Sequence, residues 1–441
     1  MMKSLGPSGR RALIAVAAWN LGTLAYFVFH LLHFGYLPPP VFAFVDDTFA
    51  DFFHTTYWAY HDERYSEWLA VHPPFVFFIA QLASFKECFL FEGLSSRNGC
   101  GMLSLYLMFA ISFAAAFVNA RLFSDDLTCQ IMCFVAIASS FPFLYAIERG
   151  NFILFGYSFV VLSVATKSRV AQGFFLACAI SVKQYLIVLL GFAFLKMHWR
   201  VLISCGISGL ALLAVSAAYL PAPDFLRFIE NMFTFVGVEN IGNLWRLPYS
   251  TSVDGFISFS KTADAQYFFD ALVEALPFLT TDLIFYYART LQILVFVFIF
   301  AVVVGIFRLR NRISNSYISF ASLICLFNLS DATAAYALIM LLAYLPAVWE
   351  ELTRKDFVAL FLLLQPADGN LLVLGEIPGQ LSYLSGETVT STLAFTYGSI
   401  VRPGATLLLL FFVALHLWTT KGAATSDDQS AYPGAPASGR L

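Results

Sequence analysis

Long apolar runs separated by short polar connectors fill most of the chain between residues 12 and 419. Candidate spans begin near residues 12, 75, 102, 127, 152, 170, 184, 201, 286, 314, 332, 356 and 403. A transmembrane helix takes roughly 17–25 predominantly apolar residues, so the pattern predicts an all-α polytopic membrane protein with about 11–13 transmembrane helices.

Polar residues collect in three longer stretches, at about 35–74, 221–285 and 376–402. Lys and Arg collect instead in short connectors, which are the N-terminus, 196–200, 308–312 and 351–356. Short loops rich in Lys and Arg stay on the cytoplasmic side of a membrane. The three polar stretches are therefore predicted to be outer loops, and the first of them is expected to carry short helices.

The spans and loops form one predicted transmembrane domain, residues 1–419. The tail at 420–441 is small, polar and rich in Pro and Gly, which predicts a disordered cytoplasmic segment. Basic residues before the first apolar run resemble the start of a secretory signal peptide. The run is followed by "FGYLPPP" rather than by a small-residue cleavage site, so we predict an uncleaved first transmembrane helix.

The apolar run around Lys183 lies between two basic segments, "TKSR" at 166–169 and "KMHWR" at 196–200. A single span would bury Lys183 in mid-membrane, at a cost of about 2.5–3.5 kcal/mol on insertion scales. Two short helices meeting at Lys183 on the outer side avoid that cost and are preferred. They require an even number of crossings between residue 34 and Lys183, so one helix within 75–147 is expected to be re-entrant or interfacial.

The composition agrees with a membrane protein and excludes several other classes. The chain is 59% hydrophobic and 12% charged, whereas soluble domains are about half apolar and a quarter charged. A net charge of −3 and the absence of a Lys/Arg cluster give no indication of a nucleic-acid partner, and the apolar spans predict membrane lipids as partners. Most of the seven cysteines lie in apolar runs and no CxxC occurs, which predicts neither a disulfide framework nor a thiolate zinc site.

The first polar stretch carries an excess of carboxylates, because Arg64 is its one arginine. The carboxylates are Asp46, Asp47, Asp51, Asp62, Glu63 and Glu67. Asp47 and Asp51 lie one helical turn apart in a semi-apolar setting, where carboxylates are more often functional than on a solvated loop. Tyr, Trp and His residues, including His54, Tyr57 and His72, surround them. Their alternative role is that of an ordinary interfacial aromatic belt.

Three other polar groups interrupt apolar sequence. Arg149 and Asn151 follow Glu148 in "AIERGNFILF", where a charge pair at a membrane end is the simpler interpretation. Lys183 precedes Gln-Tyr, and its simpler role is snorkelling to the interface. Arg246 lies in the second polar stretch, in "GNLWRLPYSTSVDGFI".

Carboxylates and cations amid aromatic rings suit sugar transfer from a lipid phosphate. The phosphate leaving group needs cations to hold its developing charge and no general acid. The acceptor hydroxyl needs one carboxylate as general base, and a single displacement inverts the anomeric centre. The same residue types also suit an ion-coupled transporter.

Four segments, in order, resemble glycosyltransferase family 87. "ADFFHTTYWA" with the following "RY" and "HPPF" is similar to the family's first-loop pattern, and "RGNFILF" resembles its Gly-Gln/Asn-x-x-Leu helix start. "FFLACAISVKQYLIVLLGFAFLKMHWR" resembles its helix, Lys, helix and basic end, and "NLWRLPYSTSVDGFI" its Asn/Ser-x-x-Gly segment. His72 stands where the family usually has Tyr, and "DATAAYAL" keeps only Tyr336 of a Trp, His and Tyr set.

The resemblance implies a GT-C type enzyme of the cell (inner) membrane. It would move a sugar, best guessed as mannose, from a polyprenyl-phosphate donor to a glycolipid or glycan acceptor on the extracytoplasmic face. It implies Asp51 as base with Asp47 as second choice, and Lys183 and Arg149 as phosphate ligands. Candidate substrate contacts are Asn151, Tyr57, His72, His54 and Arg246.

No cofactor is expected, and His30 and His33 are interpreted as interfacial residues rather than metal ligands. The alternative functions are a transporter or flippase of lipid-linked sugars or ions, a polysaccharide polymerase, and a non-catalytic assembly partner.

Overall fold

The computed structural model of the protein describes residues 7–38, 45–89, 93–219, 222–237, 252, 270, 273–274, 280–329 and 335–420. Sixteen α-helices, numbered here in chain order over these residues, make up most of this part of the chain. They are α1 Pro7–Phe34, α2 Ala50–Ala59, α3 Pro74–Leu82, α4 Gly101–Phe123, α5 Leu127–Ala138, α6 Phe141–Arg149, α7 Ile153–Ala165, α8 Arg169–Val182, α9 Gly191–Leu195, α10 Trp199–Tyr219, α11 Ala222–Gly237, α12 Thr281–Leu309, α13 Asn315–Leu329, α14 Ile339–Val348, α15 Arg354–Leu364 and α16 Gly398–Thr419.

Five of the described helices are long and apolar enough to cross a membrane. They are Gly9–Phe34, Gly101–Phe123, Trp199–Ala218, Arg289–Leu309 and Gly398–Thr419. The pair α5 and α6, bent by 55°, makes a sixth span if it is counted as one. The chain is thus a multi-pass helical membrane protein, as the sequence predicts. Shorter apolar helices, among them α7, α8 and α13, pack between the long ones into one apolar core.

At one end of the bundle, polar contacts join residues near the ends of several helices. Arg10 at the start of α1 pairs with Asp126 between α4 and α5 at 3.7 Å. Lys196 Nζ donates to the Ile313 carbonyl at 2.7 Å, which joins the connectors that precede α10 and α13. One cavity is lined by Gly9, Lys196 and Arg312, so the N-terminus and two of the predicted basic connectors lie at the same end, as the orientation argument requires.

The chain breaks its helix at Lys183, as predicted. Helix α8 ends at Val182, Lys183 is extended (φ −140°, ψ 109°), and a 3₁₀ segment follows over Gln184–Leu190. The start of α10 returns to the start of α8, because Ser204 Oγ donates to the Val170 carbonyl at 2.7 Å. Gly173 permits this approach, since a Cβ there would lie 2.5 Å from the Val201 oxygen. The segment between the basic connectors therefore goes out and back.

Three expectations need correction. The third polar stretch is not a plain loop: it contributes most of an antiparallel hairpin of β1 Asn370–Leu381 and β2 Thr388–Thr396. Cys88 and Cys100 form a disulfide with their Cα atoms 5.5 Å apart, which spacing alone did not predict. The span expected near residue 75 is only the nine-residue helix α3, which is too short to cross a membrane. Helix α3 therefore fits the re-entrant or interfacial helix expected within 75–147.

Candidate active site

Helix α2 begins in a strained backbone conformation that sets the direction of Asp51. Phe49, which precedes the helix, has φ +64°, a left-handed value that is costly for a residue with a side chain. Its N–H donates to the Glu148 carbonyl at 2.7 Å, so α2 is tied to the end of α6. Asp51 then lies in the first turn of α2, where the helix dipole favours a negative charge.

The end of α6 supplies the partners of this carboxylate. Gly150 closes α6 in the left-handed conformation (φ +61°), so that Arg149 and Asn151, on either side of it, both reach Asp51. Arg149 Nη2 donates to Asp51 Oδ1 at 2.6 Å, and Asn151 Nδ2 donates to Oδ2 at 2.7 Å. Asn151 is itself oriented, because its Oδ1 accepts from the Ile153 N–H at 2.9 Å. Both carboxylate oxygens of Asp51 are therefore held.

Asp47 completes the ion cluster from the opposite side of the guanidinium. Arg149 Nη1 donates to Asp47 Oδ2 at 3.3 Å, while Nε also donates to Asp51 at 3.2 Å. The side chains of Asp51 and Arg149 are 24% and 14% exposed, which makes these charge-assisted bonds stronger than surface ones. Burial alone would raise the pKa of Asp51, but the charge and hydrogen bonds of Arg149 outweigh it and lower that pKa below its usual range.

Lys183 and His72 approach the cluster from two further elements. Lys183, at the break after α8, lies close enough to Asp51 and His72 to interact electrostatically with both. Burial, and then the nearby Lys183, lower the pKa of His72 to about 3, so this ring is neutral near pH 7. His72 Nε2 lies 3.3 Å from the Thr55 hydroxyl.

Lys183 differs from Arg149 in that no carboxylate of the described residues pairs with its ammonium group. Its Nζ lies 6.0 Å from the centroid of the Tyr336 ring, which stacks on Tyr145. Over the part of the chain that the structure describes, Nζ makes no hydrogen bond or ion pair. A half-buried cation of this kind, next to a fixed carboxylate, can accept an anionic group.

The structure brings most of the predicted residues together and separates a few. Asp47, Asp51, Arg149, Asn151, His72 and Lys183 form one cluster. His54 and Tyr57 lie beside it, further along the same helix, in a group of neighbouring aromatic rings. Arg246 lies outside the described residues, as do most of the second polar stretch and the tail after Thr420.

Sequence reasoning missed Arg97, which braces the cluster from the disulfide loop. Its Nη1 donates to the carbonyls of Asp46 at 2.7 Å and Thr48 at 2.8 Å, on both sides of Asp47. Its guanidinium lies 4.6 Å from the ring centroid of Tyr383 in the hairpin, whose hydroxyl donates to the Arg97 carbonyl. The signal available in the sequence was one arginine between two cysteines.

A metal site is not evident among these groups. Across the described ranges, no three His, Cys, Asp or Glu side chains converge in a way that could hold an ion. His30 Nδ1 contacts the Tyr36 carbonyl at 2.8 Å, which gives that ring a structural partner. Comparison with protein families, with curated proteins and with solved structures finds no match for the chain.

Proposed function

We propose that the protein is a membrane glycosyltransferase that moves a sugar from a polyprenyl-phosphate donor to a hydroxyl of a glycolipid or glycan. The observation that carries the proposal is the Asp51 carboxylate, fixed by Arg149 and Asn151, which interacts electrostatically with an ammonium group, that of Lys183, without an ion-pair partner among the described residues. A fixed base and a free cation are the two groups that this reaction needs. Mannose is the sugar that the family resemblance favours.

In the proposed reaction the acceptor oxygen attacks the anomeric carbon from the face opposite the phosphate. The bond from that carbon to the phosphate oxygen breaks, and the polyprenyl phosphate leaves with its electron pair beside Lys183. The acceptor proton passes to Asp51, which is ionised because its pKa is lowered by Arg149 against the opposing effect of burial. One displacement inverts the anomeric centre.

The geometry favours a different use of Arg149 from the phosphate contact that the resemblance implies. All three guanidinium nitrogens of Arg149 are directed at Asp51 and Asp47. We assign it to positioning the base and assign the first phosphate contact to Lys183. Asn151, fixed by the Ile153 N–H, holds the second oxygen of Asp51, and neutral His72 is available to hydrogen-bond a sugar hydroxyl.

The proposed site faces the extracytoplasmic side of the cell membrane. The basic connectors that the sequence predicts to be cytoplasmic lie at the other end of the bundle, where Arg10 and Lys196 make their contacts. The Cys88–Cys100 disulfide lies at the site end, and disulfides persist in oxidising compartments. With α4, the α5–α6 pair, α7 and α8 as crossings, an even number separates residue 34 from Lys183. Over the described residues, the six spans and the four shorter apolar helices give ten crossings, so a total of 11–13 also needs short helices such as α14 and α15 to cross.

A transporter or flippase of lipid-linked sugars or ions is the alternative. Broken helices at a polar site are typical of transporters, and here α5 and α6 are bent by 55° and Lys183 interrupts a helix. The two functions differ in their product, because only the transferase makes a new glycosidic bond.

The test is transfer by purified protein from a panel of radiolabelled polyprenyl-phosphate sugars to a total glycolipid extract. We expect Asp51→Asn to lower turnover about 10²–10⁴-fold, the usual effect of losing a general base. Asp62→Asn is the matched control, because its carboxylate lies in the same loop and is 90% exposed. Wild-type turnover in Asp51→Asn would reject this assignment of the base. Movement of the labelled lipid across vesicles without a new bond would favour the flippase.

A further inference from the structure

The half-buried side of α2 carries a row of neighbouring aromatic rings that leads away from Asp51. We propose that this α2 aromatic strip, formed by His54, Tyr57, Trp58, His61 and Trp68, binds an acceptor glycan of two or more sugar rings. The inference rests on the proposed function and deepens it, because it names the acceptor as an extended sugar chain rather than a single sugar or a lipid hydroxyl.

Helical spacing places the strip on one face with the catalytic carboxylate. Asp51, His54 and Trp58 follow one another at intervals of three and four residues on α2, and Tyr57 lies beside them. His61 follows just after the helix, in extended backbone. All are half-buried, whereas the opposite face of α2 is fully packed. The buried residues of that face are Ala50, Phe52, Phe53, Thr55, Thr56 and Ala59. From Asp51 to Ala59 the helix rises about 12 Å, which exceeds the length of one sugar ring.

The rings contact one another in sequence along this face. The Tyr57 and His61 centroids lie 4.1 Å apart, and Tyr57 and Trp68 lie 5.4 Å apart. Trp58 stacks on Trp68 at 5.9 Å with 19° between the planes. Trp58 also lies 6.4 Å from His72, so the row is continuous with the ion cluster.

The loop that brings Trp68 back onto α2 is fixed, so the strip is formed before a ligand arrives. The buried Arg64 donates to the Trp58 carbonyl at 3.0 Å and pairs with Asp224 of α11 at 3.7 Å. The Tyr65 hydroxyl donates to the His72 carbonyl at 3.0 Å. A preformed surface lowers the ordering cost of binding.

The ring types distinguish a sugar from a lipid chain. Every member of the strip has a ring N or O–H as well as an apolar face, whereas the phenylalanines of α2, Phe52 and Phe53, are on its packed side. Such rings can stack on the C–H face of a sugar and hydrogen-bond its hydroxyls at the edge. An interfacial belt also uses Trp and Tyr, but it would not require neighbouring rings in a row that ends at a carboxylate.

The experiment measures acceptor KM and kcat for Trp58→Ala and Trp68→Ala, with Trp199→Ala as control because that exposed tryptophan lies at the start of α10. We expect acceptor KM to rise at least tenfold, with donor KM unchanged and the control like wild type. Trp58→Phe and Trp68→Phe, which keep a ring, serve if the alanine variants melt early. An unchanged acceptor KM in variants that transfer sugar would overturn the inference and leave the proposed function intact.

A binding titration separates this inference from the reaction. Tryptophan fluorescence of Asp51→Asn is followed on addition of α-mannosyl and α-glucosyl oligosaccharides of one to four rings. We expect affinity to increase with chain length in at least one series and to be lost in Asp51→Asn/Trp68→Ala. Equal, weak responses to every length would overturn the inference. Failure of the wild type to transfer from any donor would instead overturn the proposed function.

Discussion

At the residue scale, two residues in the left-handed backbone conformation hold Asp51 and Arg149 in contact. Phe49 and Gly150 stand before α2 and after α6, and they adopt φ values of +64° and +61°. A Cβ on Gly150 would lie 2.8 Å from the Cβ of Phe52, one residue beyond Asp51. The glycine is thus required both by the backbone angle and by the closeness of the two helices.

Gly150→Ala should therefore separate Arg149 and Asn151 from Asp51. We expect transfer to fall at least tenfold and the melting temperature to decrease, because both strain and a clash are introduced. Gly206→Ala is the control, since no atom lies within 4 Å of its Cβ and alanine favours a helix by about 1 kcal/mol. Normal transfer by Gly150→Ala would show that the left-handed glycine at the end of α6 is not needed to position Arg149 and Asn151.

The neutral ring of His72 gives a second prediction at this scale. Burial, aided by Lys183, lowers its pKa from 6.5 to about 3 in the folded protein. Between pH 6.5 and about 3, His72 therefore binds a proton in the unfolded chain but not in the folded protein. The free energy of unfolding therefore falls as pH drops below 6.5. At pH 5 the loss from this group is about 2 kcal/mol.

We expect the wild-type melting temperature to fall between pH 7.5 and pH 5, and the fall to be smaller in His72→Gln. Protonation of Asp51 does not contribute to this fall, because its lowered pKa means that it takes up a proton only in more acidic solution. An equal fall in both proteins would show that His72 is protonated in the fold.

At the element scale, the disulfide loop and the hairpin form a brace for the Asp47 segment. Cys88 and Cys100 are separated by 12 positions in the sequence, and a disulfide that closes a loop of this size adds about 3 kcal/mol to stability. Arg97 within this loop holds the carbonyls on both sides of Asp47. Phe49 meets the ring of Tyr383 edge to face at 5.9 Å, so the hairpin supports the same turn.

Removing the bond should therefore affect the site as well as the fold. We expect Cys88→Ser/Cys100→Ser to lose at least tenfold in transfer and to melt earlier than wild type. Cys325→Ser is the control, because that cysteine is not in a disulfide. If the double variant melts earlier but transfers normally, the loop stabilises the protein without positioning Asp47.

The elements differ in how far the sequence predicts them. The break at Lys183 followed from charge, because a lysine between two basic connectors could not lie in mid-membrane at low cost. Asp51 and Arg149 were predicted from residue type, but their contact spans 98 residues and no local pattern specifies it. The hairpin, the disulfide and the role of Arg97 depend on contacts distant in sequence, such as Tyr383 with Arg97.

At the scale of the whole molecule, the two ends of the bundle have different chemistry. One end carries Arg10, Lys196 and the capping box of Thr353 with Asp356, which begins α15. The other carries the ion cluster, the disulfide and the hairpin, with Gly35 after α1 packed against Val389. Because α1 links the two ends, the side on which the N-terminus lies decides the side on which the site works.

That orientation can be measured directly with introduced thiols. Glu387→Cys in the hairpin should react with a membrane-impermeant maleimide in intact cells, whereas Asp125→Cys and Asn311→Cys should react only after permeabilisation. All three positions are exposed, so a lack of labelling reflects the membrane rather than burial. The wild type gives the background of its own thiols, four of the five free ones being buried. Labelling of Asp125→Cys in intact cells would place the basic end outside and would reverse the proposed side of the reaction.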